Sequence, residues 1–199
     1  PRMPGHRRCG SGPLIFSGGS SGGSGGGGGD RVSTASSPML NALPAGEWQY
    51  AAIGAVPAMM GALRYDTYVI ANADEEFLIN RVLVLPDSPI AKVKGWNKDY
   101  PEVLGSPETV KGKTFLTTTV SSAHYALSVW LRVLGLTEKD IVLKNMDQSQ
   151  ALSAYENGIG DGVCLWAPHA YVGEAKGWKL AGNPKLCGLG IAGEFFTEP

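Results

Sequence analysis

Between residue 113 and the helix that Pro168 starts, the sequence alternates a short apolar run with a helix-like segment three times in succession. The predicted strands are 113–118, 141–146 and 162–166, and the first two are followed by predicted helices at 122–134 and 147–158. Strands that alternate with helices build parallel sheets, because the crossover between parallel strands is usually a helix. The alternation therefore predicts an α/β fold, with mostly parallel sheets and helices on both faces.

The helix predicted over 122–134 has the clearest amphipathic pattern. Its apolar face comprises Ala123, Leu127, Trp130, Leu131 and Leu134. Gly135 follows it and can adopt the left-handed conformation that ends many helices. Asp147, with Gln150 three residues later, has the spacing of a capping box and predicts the start of the next helix.

The N-terminal part of the chain differs in amino-acid composition. Residues 17–29 consist only of glycine and serine, a composition that buries too little apolar surface to offset its ordering entropy. We therefore expect residues 1–29 to be disordered. A phosphate-binding glycine loop would need a strand before it, a helix after it and usually a lysine at fixed spacing, and this tract has none of them.

The rest of the chain is predicted to form two lobes. Residues 30–90 form a partial first lobe, 91–112 connect the lobes, 113–182 form the second lobe, and 183–199 return toward the first. Residues 91–112 carry few apolar positions and several glycines and prolines. The first lobe is predicted to contain helices at 39–43 and 58–63 and strands at 48–53, 68–71 and 77–85.

Charge, hydropathy and cysteine content exclude several classes of partner. Lys and Arg number 17 against 18 for Asp and Glu, so the net charge of -1 gives no field that would gather nucleic acid. The sequence contains no run of about 18 apolar residues, so it predicts no membrane-spanning helix. The apolar stretch 13–16 is too short for the apolar core of an export signal. The three cysteines lack CxxC spacing, so we expect no disulfide framework, no zinc site and no cofactor.

Small hydroxyl residues cluster where the strand at 113–118 ends and its helix begins. Thr119, Ser121 and Ser122 lie there, followed by His124. In open α/β sheets, ligands bind beyond the carboxyl ends of the strands, where helix N-termini offer free amides and partial positive charge. We therefore expect these four residues to contact an anionic or polar group. The structural alternative is that a serine only caps the helix and the threonines only favour the strand.

A second candidate lies at Trp166 and Pro168, again where a predicted strand ends and a helix begins. The indole offers a flat apolar wall and one N–H donor. The alternative is a tryptophan of the core. The facing wall of the site would come from the first lobe, through Ser36, Ser37, Gly54 and Pro57.

No catalytic motif accompanies these candidates. The sequence contains no GxSxG elbow, no HExxH motif and no paired carboxylates at strand ends. Cys164 lies in an apolar run and is predicted to be a small core residue. His6, His124 and His169 are far apart and lack metal-ligand spacing. We therefore expect no catalytic residue, no metal site and no enzymatic activity.

Several short motifs occur in the order found in a known family. They are G-x-x-P at 54–57, K-G-K at 111–113, S-S-A-H-Y at 121–125, G-L-T-x-x-D at 135–140, N-G-x-x-D-G at 157–162 and W-x-P at 166–168. Through this order, over residues 33–193, the sequence resembles the substrate-binding proteins of ABC importers for nitrate, sulfonates and taurine.

The resemblance implies a type II periplasmic-binding-protein fold, in which two α/β lobes close on a ligand at the hinge. It implies a periplasmic or extracytoplasmic receptor that binds a small anion or zwitterion, such as a sulfonate, taurine or nitrate, and delivers it to an ABC permease. The family begins with a strand and a helix where this chain has its glycine tract, and it continues beyond residue 199. The resemblance therefore also implies a first lobe that is incomplete, and a chain truncated at both ends.

Two other interpretations stay open. A cytosolic, thiamine-related pyrimidine-precursor protein of the same fold would need a reactive histidine or cysteine inside the cleft, so the positions of His124 and Cys164 discriminate. A partly folded fragment that binds nothing would cover its exposed sheet by self-association, as a homodimer through the incomplete first lobe.

Overall fold

The computed structural model describes residues 40–45, 53–71 and 76–188. The chain divides into two compact units, Pro1–Ile53 and Gly54–Pro199, and each is described by itself.

In the first unit, residues 40–42 are helical and Leu43–Ala45 form a 3-10 turn, where the sequence predicts a helix at 39–43. The predictions for 1–29, for Ser36 and Ser37, and for most of the strand at 48–53 lie outside the described residues. In the second unit, the same holds for 189–199 of the predicted return segment.

The described part of the second unit contains five strands and six α-helices. The strands are β1 (Arg81–Val84), β2 (Thr114–Thr117), β3 (Val142–Asn145), β4 (Gly162–Leu165) and β5 (Lys179–Gly182). The helices are α1 (Ala55–Tyr65), α2 (Glu76–Ile79), α3 (Pro107–Val110), α4 (Ser122–Val133), α5 (Gln148–Glu156) and α6 (His169–Ala175). A 3-10 turn, Glu138–Asp140, precedes β3. None of these helices has the length and apolar character needed to cross a membrane.

The five strands form one sheet in the order β3-β2-β4-β1-β5. Strand β2 pairs in parallel with both β3 and β4, whereas β1 runs antiparallel to its neighbours β4 and β5. Four strands therefore point the same way, and β1 is reversed. The mostly parallel sheet predicted from the sequence is confirmed, with one antiparallel strand that the sequence does not indicate.

Alternate strand residues pack on opposite faces of the sheet, as the period of two requires. Phe115 and Cys164 pack with the buried side of α4, and the Phe115 ring lies 5.4 Å from that of Trp130. Leu116 and Val163 pack on the other face with residues of α5 and α6. Helices therefore cover both faces, as predicted, and full burial of each such side chain is worth roughly 1.5–3 kcal/mol.

Helix α4 buries the face that the sequence predicts. Ala123, Leu127, Trp130 and Leu131 are 0% exposed. Gly135 has a φ of 69°, the left-handed conformation expected after the helix. The three strand–helix units of 113–178 are thus confirmed, with bounds that differ from the prediction by one or two residues.

Two predicted strands are wrong. Residues 77–85 divide into helix α2 and strand β1 at Asn80, because the short apolar runs on either side of Asn80 and Arg81 have no periodicity that separates a short helix from a strand. Residues 68–71 form no regular element. Tyr68 and Ile70 are 89% and 77% exposed, so the described residues offer no packing surface that would hold this segment in a strand.

Strand β1 lies in the same sheet as β2, although the sequence places it in the first lobe. Val82 of β1 pairs with Cys164 of β4 and with Gly182 of β5. The residues between β1 and β2 contact the core: Trp130 Nε1 donates a hydrogen bond to Leu104 O at 3.0 Å. The predicted connection at 91–112 therefore does not separate 81–84 from this sheet. The other lobe boundaries stay predictions.

Candidate functional site

The carboxyl ends of β2, β3 and β4 meet at one edge of the sheet, because these strands are parallel. We name this edge, formed by segments 118–121, 146–147 and 166–168, the carboxyl edge; each segment leads into the next helix. At this edge and at the helix starts beside it lie the predicted contact residues Thr119, Ser121, Ser122, His124, Trp166 and Pro168.

Ser121 is the N-cap of α4 and fixes the turn before it. Its hydroxyl accepts a hydrogen bond from His124 N at 3.2 Å and donates one to Thr118 O at 2.6 Å. The backbone N–H of Thr119 donates to Asn145 Oδ1 at 2.9 Å. The segment after β2 is therefore tied both to α4 and to the end of β3, and the prediction of a capping serine here is confirmed.

His124 supports this segment from the first turn of α4. Val120 N donates to His124 Nδ1 at 3.3 Å, so Nδ1 is the unprotonated nitrogen. His124 Nε2 lies 3.1 Å from Glu138 Oε1, outside hydrogen-bond geometry. That carboxylate oxygen instead accepts a hydrogen bond from Ser128 Oγ at 2.5 Å. Val120 itself has a φ of 55°, a conformation that a β-branched residue rarely adopts.

Gln148, the first residue of α5, connects two segments of the carboxyl edge. Its side chain is 5% exposed. Nε2 donates to Thr118 Oγ1 at 3.1 Å, and Oε1 accepts from Trp166 N at 2.9 Å. The Thr118 hydroxyl in turn donates to Met146 O at 2.8 Å. All three segments of the edge are therefore joined by hydrogen bonds.

Trp166 and Pro168 form the segment after β4. The Trp166 side chain packs against the core cluster around α4 and is only partly buried, so it is a core residue that is also partly exposed. Pro168 is exposed and is the N-cap of α6, after a cis Ala167–Pro168 peptide bond.

Gly54 and Pro57 lie at the start of α1, which packs against α4. Gly54 is the N-cap, and its carbonyl oxygen accepts from Ala58 N at 3.0 Å. Pro57 is buried within the helix, which begins earlier and ends later than the predicted 58–63. A role of Gly54 and Pro57 as ligand contacts stays a prediction, and Ser36 and Ser37 lie outside the described residues.

The sequence did not indicate the side chains that join the segments, namely Thr118, Asn145 and Gln148. The sequence places Thr118 at the end of a predicted strand and Gln148 inside the capping motif of Asp147. The available signal is position, because each of them lies at or within three residues after the carboxyl end of a parallel strand, where ligand sites of α/β sheets are assembled.

Cys164 is a core residue, as predicted. It is 0% exposed, and its thiol donates to Ala123 O at 2.9 Å. Burial raises the pKa of this thiol far above its usual value, so the nucleophilic thiolate is not accessible. Cys164 therefore does not supply the reactive residue, a histidine or a cysteine, that the pyrimidine-precursor alternative needs inside the cleft. In the described ranges, no three His, Cys, Asp or Glu side chains come together as a metal site.

A shallow cavity lies at the opposite edge of the sheet. It is lined by Leu85, Asp87, Ser88, Pro89, Tyr155, Gly160 and Asp161. Tyr155 OH accepts from Leu85 N at 2.9 Å, and burial raises the pKa of this phenol to about 12. Asp161 accepts from Thr114 N and pairs with Lys113. These polar groups are engaged within the fold, and no predicted contact residue lines the cavity.

A curated protein of Brachyspira hyodysenteriae, described as an ABC transporter periplasmic binding protein, is 33% identical to this chain over 149 residues. The match covers 75% of this chain and 43% of that protein. This chain is similar to the periplasmic binding proteins of ABC transporters. The resemblance inferred from the order of its sequence motifs is thus confirmed. No protein-family model matches the chain.

Solved structures of such binding proteins have the same fold. The periplasmic aliphatic sulphonate binding protein SsuA of Escherichia coli matches with a TM-score of 0.61 at 22% identity, over 76% of this chain and 48% of that one. The alkanesulfonate-binding protein SsuA of Xanthomonas axonopodis pv. citri, bound to MOPS, matches with a TM-score of 0.58 at 24% identity, with the same coverage. The chain spans about half the length of these relatives. The predicted periplasmic-binding-protein fold is confirmed, and these relatives are binding proteins rather than enzymes, in agreement with the prediction.

Proposed function

We propose that this chain is part of the solute-binding component of an ABC importer and that its carboxyl edge binds a small organic anion, with an alkanesulfonate as the favoured class. The observation that carries the proposal is that Ser121 and Ser122 follow β2 at the start of α4, while the partly exposed Trp166 follows β4, the parallel neighbour of β2. The helix start provides backbone N–H groups and partial positive charge for an anionic head. The indole provides an apolar wall for an aliphatic tail.

Charge at the start of α4 favours an anion. The helix has 12 residues, and no acidic side chain lies in its first turn. An anion placed there is therefore not repelled by a carboxylate on the same turn. The two related binding proteins named for aliphatic sulphonate and alkanesulfonate share this fold, which supports a sulfonate over nitrate, since nitrate has no tail to contact Trp166.

In the whole protein, the facing wall is proposed to come from the first lobe, through Ser36, Ser37, Gly54 and Pro57. Closure of the two lobes on the ligand would then be recognised by an ABC permease outside the cytoplasm. Taurine is a second ligand of the same class, because it carries the same sulfonate group. The homodimer through the first lobe stays a prediction.

A thermal-shift titration of the chain tests the proposal. We expect propanesulfonate at about one hundred times its Kd to add roughly 2.7 kcal/mol to the free energy of unfolding. Butyrate, which has the same tail and a carboxylate head, nitrate and taurine are the comparison ligands. A cooperative melt that none of these ligands moves would contradict an anion site at this edge.

The role of the indole is tested by comparing propanesulfonate with methanesulfonate. In the unsubstituted chain, the longer tail should bind more tightly, by about 0.8 kcal/mol for each CH₂ buried. Trp166→Ala should remove this preference and leave the weak binding of methanesulfonate in place. An unchanged preference in the variant would place the tail elsewhere.

A further inference from the structure

We propose that Gln148 is a positioning residue whose buried amide fixes the segment after β2 relative to the segment after β4. The consequence for ligand binding rests on the proposed function. The structural part of the inference rests only on the hydrogen bonds of Gln148 with Thr118 and Trp166.

The direction of every hydrogen bond in this group is determined by the chemistry of its members. Trp166 N–H can only donate, so the Gln148 atom that faces it is Oε1 and the amide nitrogen faces Thr118. That nitrogen can only donate, so Thr118 Oγ1 accepts from it. The hydrogen of the Thr118 hydroxyl is then free for Met146 O. Each of these three hydrogen bonds has only one possible direction, and together they define one relative position of the three segments.

The amide is not needed to start helix α5. The start is fixed by Asp147, whose Oδ1 accepts from Gln150 N at 2.8 Å. An apolar side chain of similar length could fill the space of Gln148, which is 5% exposed. A buried amide needs its hydrogen bonds to offset its loss of hydration, so even when they are made it adds little stability relative to such a side chain. We therefore assign to the amide the role of fixing the relative position of the segments, and not that of starting the helix.

The two segments that Gln148 joins carry the proposed contacts with the ligand. Thr118 directly precedes Thr119 and accepts from Ser121 through its carbonyl oxygen, and Trp166 supplies the apolar wall. A shift between the segments would change the distance from the start of α4 to the indole. Loss of the amide should therefore weaken binding of a ligand that contacts both, even though Gln148 itself is covered by its neighbours.

Gln148→Met removes both hydrogen bonds and keeps the length of the side chain. Gln150→Met is the matched control, the same substitution two residues later on the same helix at an exposed position. In ¹H–¹⁵N NMR spectra of the full chain without ligand, we expect Gln148→Met to shift the Trp166 amide proton upfield and to speed its exchange with solvent roughly tenfold. Gln150→Met should leave both unchanged.

Binding of propanesulfonate is the second measurement. We expect Gln148→Met to raise Kd roughly tenfold, which corresponds to the loss of about one hydrogen bond, and Gln150→Met to leave Kd unchanged. Thr118→Val, of nearly the same shape, removes the partner of the amide. If Gln148 and Thr118 act through one another, the double variant that carries both substitutions should have nearly the same Kd as the single variant that binds more weakly.

An unchanged Trp166 amide in Gln148→Met would overturn the inference. A changed Trp166 amide signal together with an unchanged Kd would also overturn it, because the Gln148 side chain would then have a structural role only. If Gln148→Met does not fold, Thr118→Val decides by the same two measurements. If the unsubstituted chain binds no anion, the proposed function fails, while the Trp166 amide still decides whether Gln148 holds the segments.

Discussion

The Ser121 hydroxyl donates a 2.6 Å hydrogen bond to the carbonyl oxygen of Thr118 and thereby closes the turn before α4. Ser121 Oγ also accepts a hydrogen bond from His124 N at 3.2 Å. Ser121→Ala removes both bonds from a residue that is 6% exposed. We expect the free energy of unfolding to fall by about 1–2 kcal/mol, measured by urea denaturation.

Ser153 provides the control for this substitution. It lies on an exposed position of α5, where Ser153→Ala should change the free energy of unfolding by less than about 0.5 kcal/mol. A similar loss in both variants would show that Ser121 does not act as a cap.

Gly182 of β5 leaves room for the indole of Trp130. A Cβ at residue 182 would overlap Trp130 Cδ1. The ring is 0% exposed, and its Nε1 is held by Leu104 O at 3.0 Å, so it has little freedom to move aside. Gly182→Ala should therefore lower the free energy of unfolding by about 2–3 kcal/mol, measured by urea denaturation.

Gly112 separates this packing effect from the general effect of replacing a glycine. A Cβ at residue 112 would meet nothing within 4 Å, and its φ is 76°. Gly112→Ala should cost only about 1 kcal/mol, from the left-handed backbone. A loss at Gly182 no greater than this would contradict close contact between β5 and Trp130.

The strand–helix units of the second unit could be predicted because independent local signals agree within them. The apolar face of α4 and Gly135 after it both fix the same helix, and Asp147 caps the next one where the sequence indicates. Strand β1 could not be placed in the same way. Its pairing with β4, through Val82 and Cys164, joins residues distant in sequence and depends on tertiary packing.

In the candidate site, too, some residues could be predicted from local signals and others could not. Ser121 and Trp166 could be proposed because they directly follow predicted strands. Gln148 could not, since its role depends on a side chain that reaches Thr118, 30 residues earlier, and Trp166, 18 residues later. Only the assembled sheet brings these segments together.

Asp147 makes the stability of the chain depend on pH. Desolvation raises its pKa, but the hydrogen bonds from Gln150 N and from Ser149 outweigh this effect, so its pKa is lowered in the folded state. As the pH falls below about 4, where an unfolded Asp titrates, the unfolded state binds its proton first. The contribution of Asp147 is therefore present at neutral pH and is lost as the pH falls through the lowered pKa.

Asp147→Asn keeps an N-cap residue and removes the titrating group. We expect the unsubstituted chain to exceed the variant in free energy of unfolding at pH 7, and this difference to shrink toward pH 3. Urea denaturation at pH 7, 5 and 3 measures it. A difference that is constant over this range would mean that the hydrogen bonds to Asp147 do not favour its charged form.

Val120 is expected to be a site where a polar substitution stabilises the fold. Its φ of 55° lies in the left-handed region, which costs a side chain with a branched Cβ about 1–2 kcal/mol. The side chain is 48% exposed, so little packing is lost on substitution. Asparagine tolerates this conformation, and it keeps the backbone N–H that donates a hydrogen bond to His124 Nδ1. Val120→Asn should therefore raise the free energy of unfolding by about 1 kcal/mol, measured by urea denaturation.

The same substitution at Val142 isolates the effect of the backbone. Val142 is 49% exposed and lies in β3, where an extended backbone favours valine over asparagine. Val142→Asn should lower the free energy of unfolding by about 0.5–1 kcal/mol. If the two identical substitutions, at nearly equal exposure, change the free energy of unfolding in opposite directions, the difference comes from the backbone conformation. Two losses of similar size would mean that contacts of the Val120 side chain outweigh its strain.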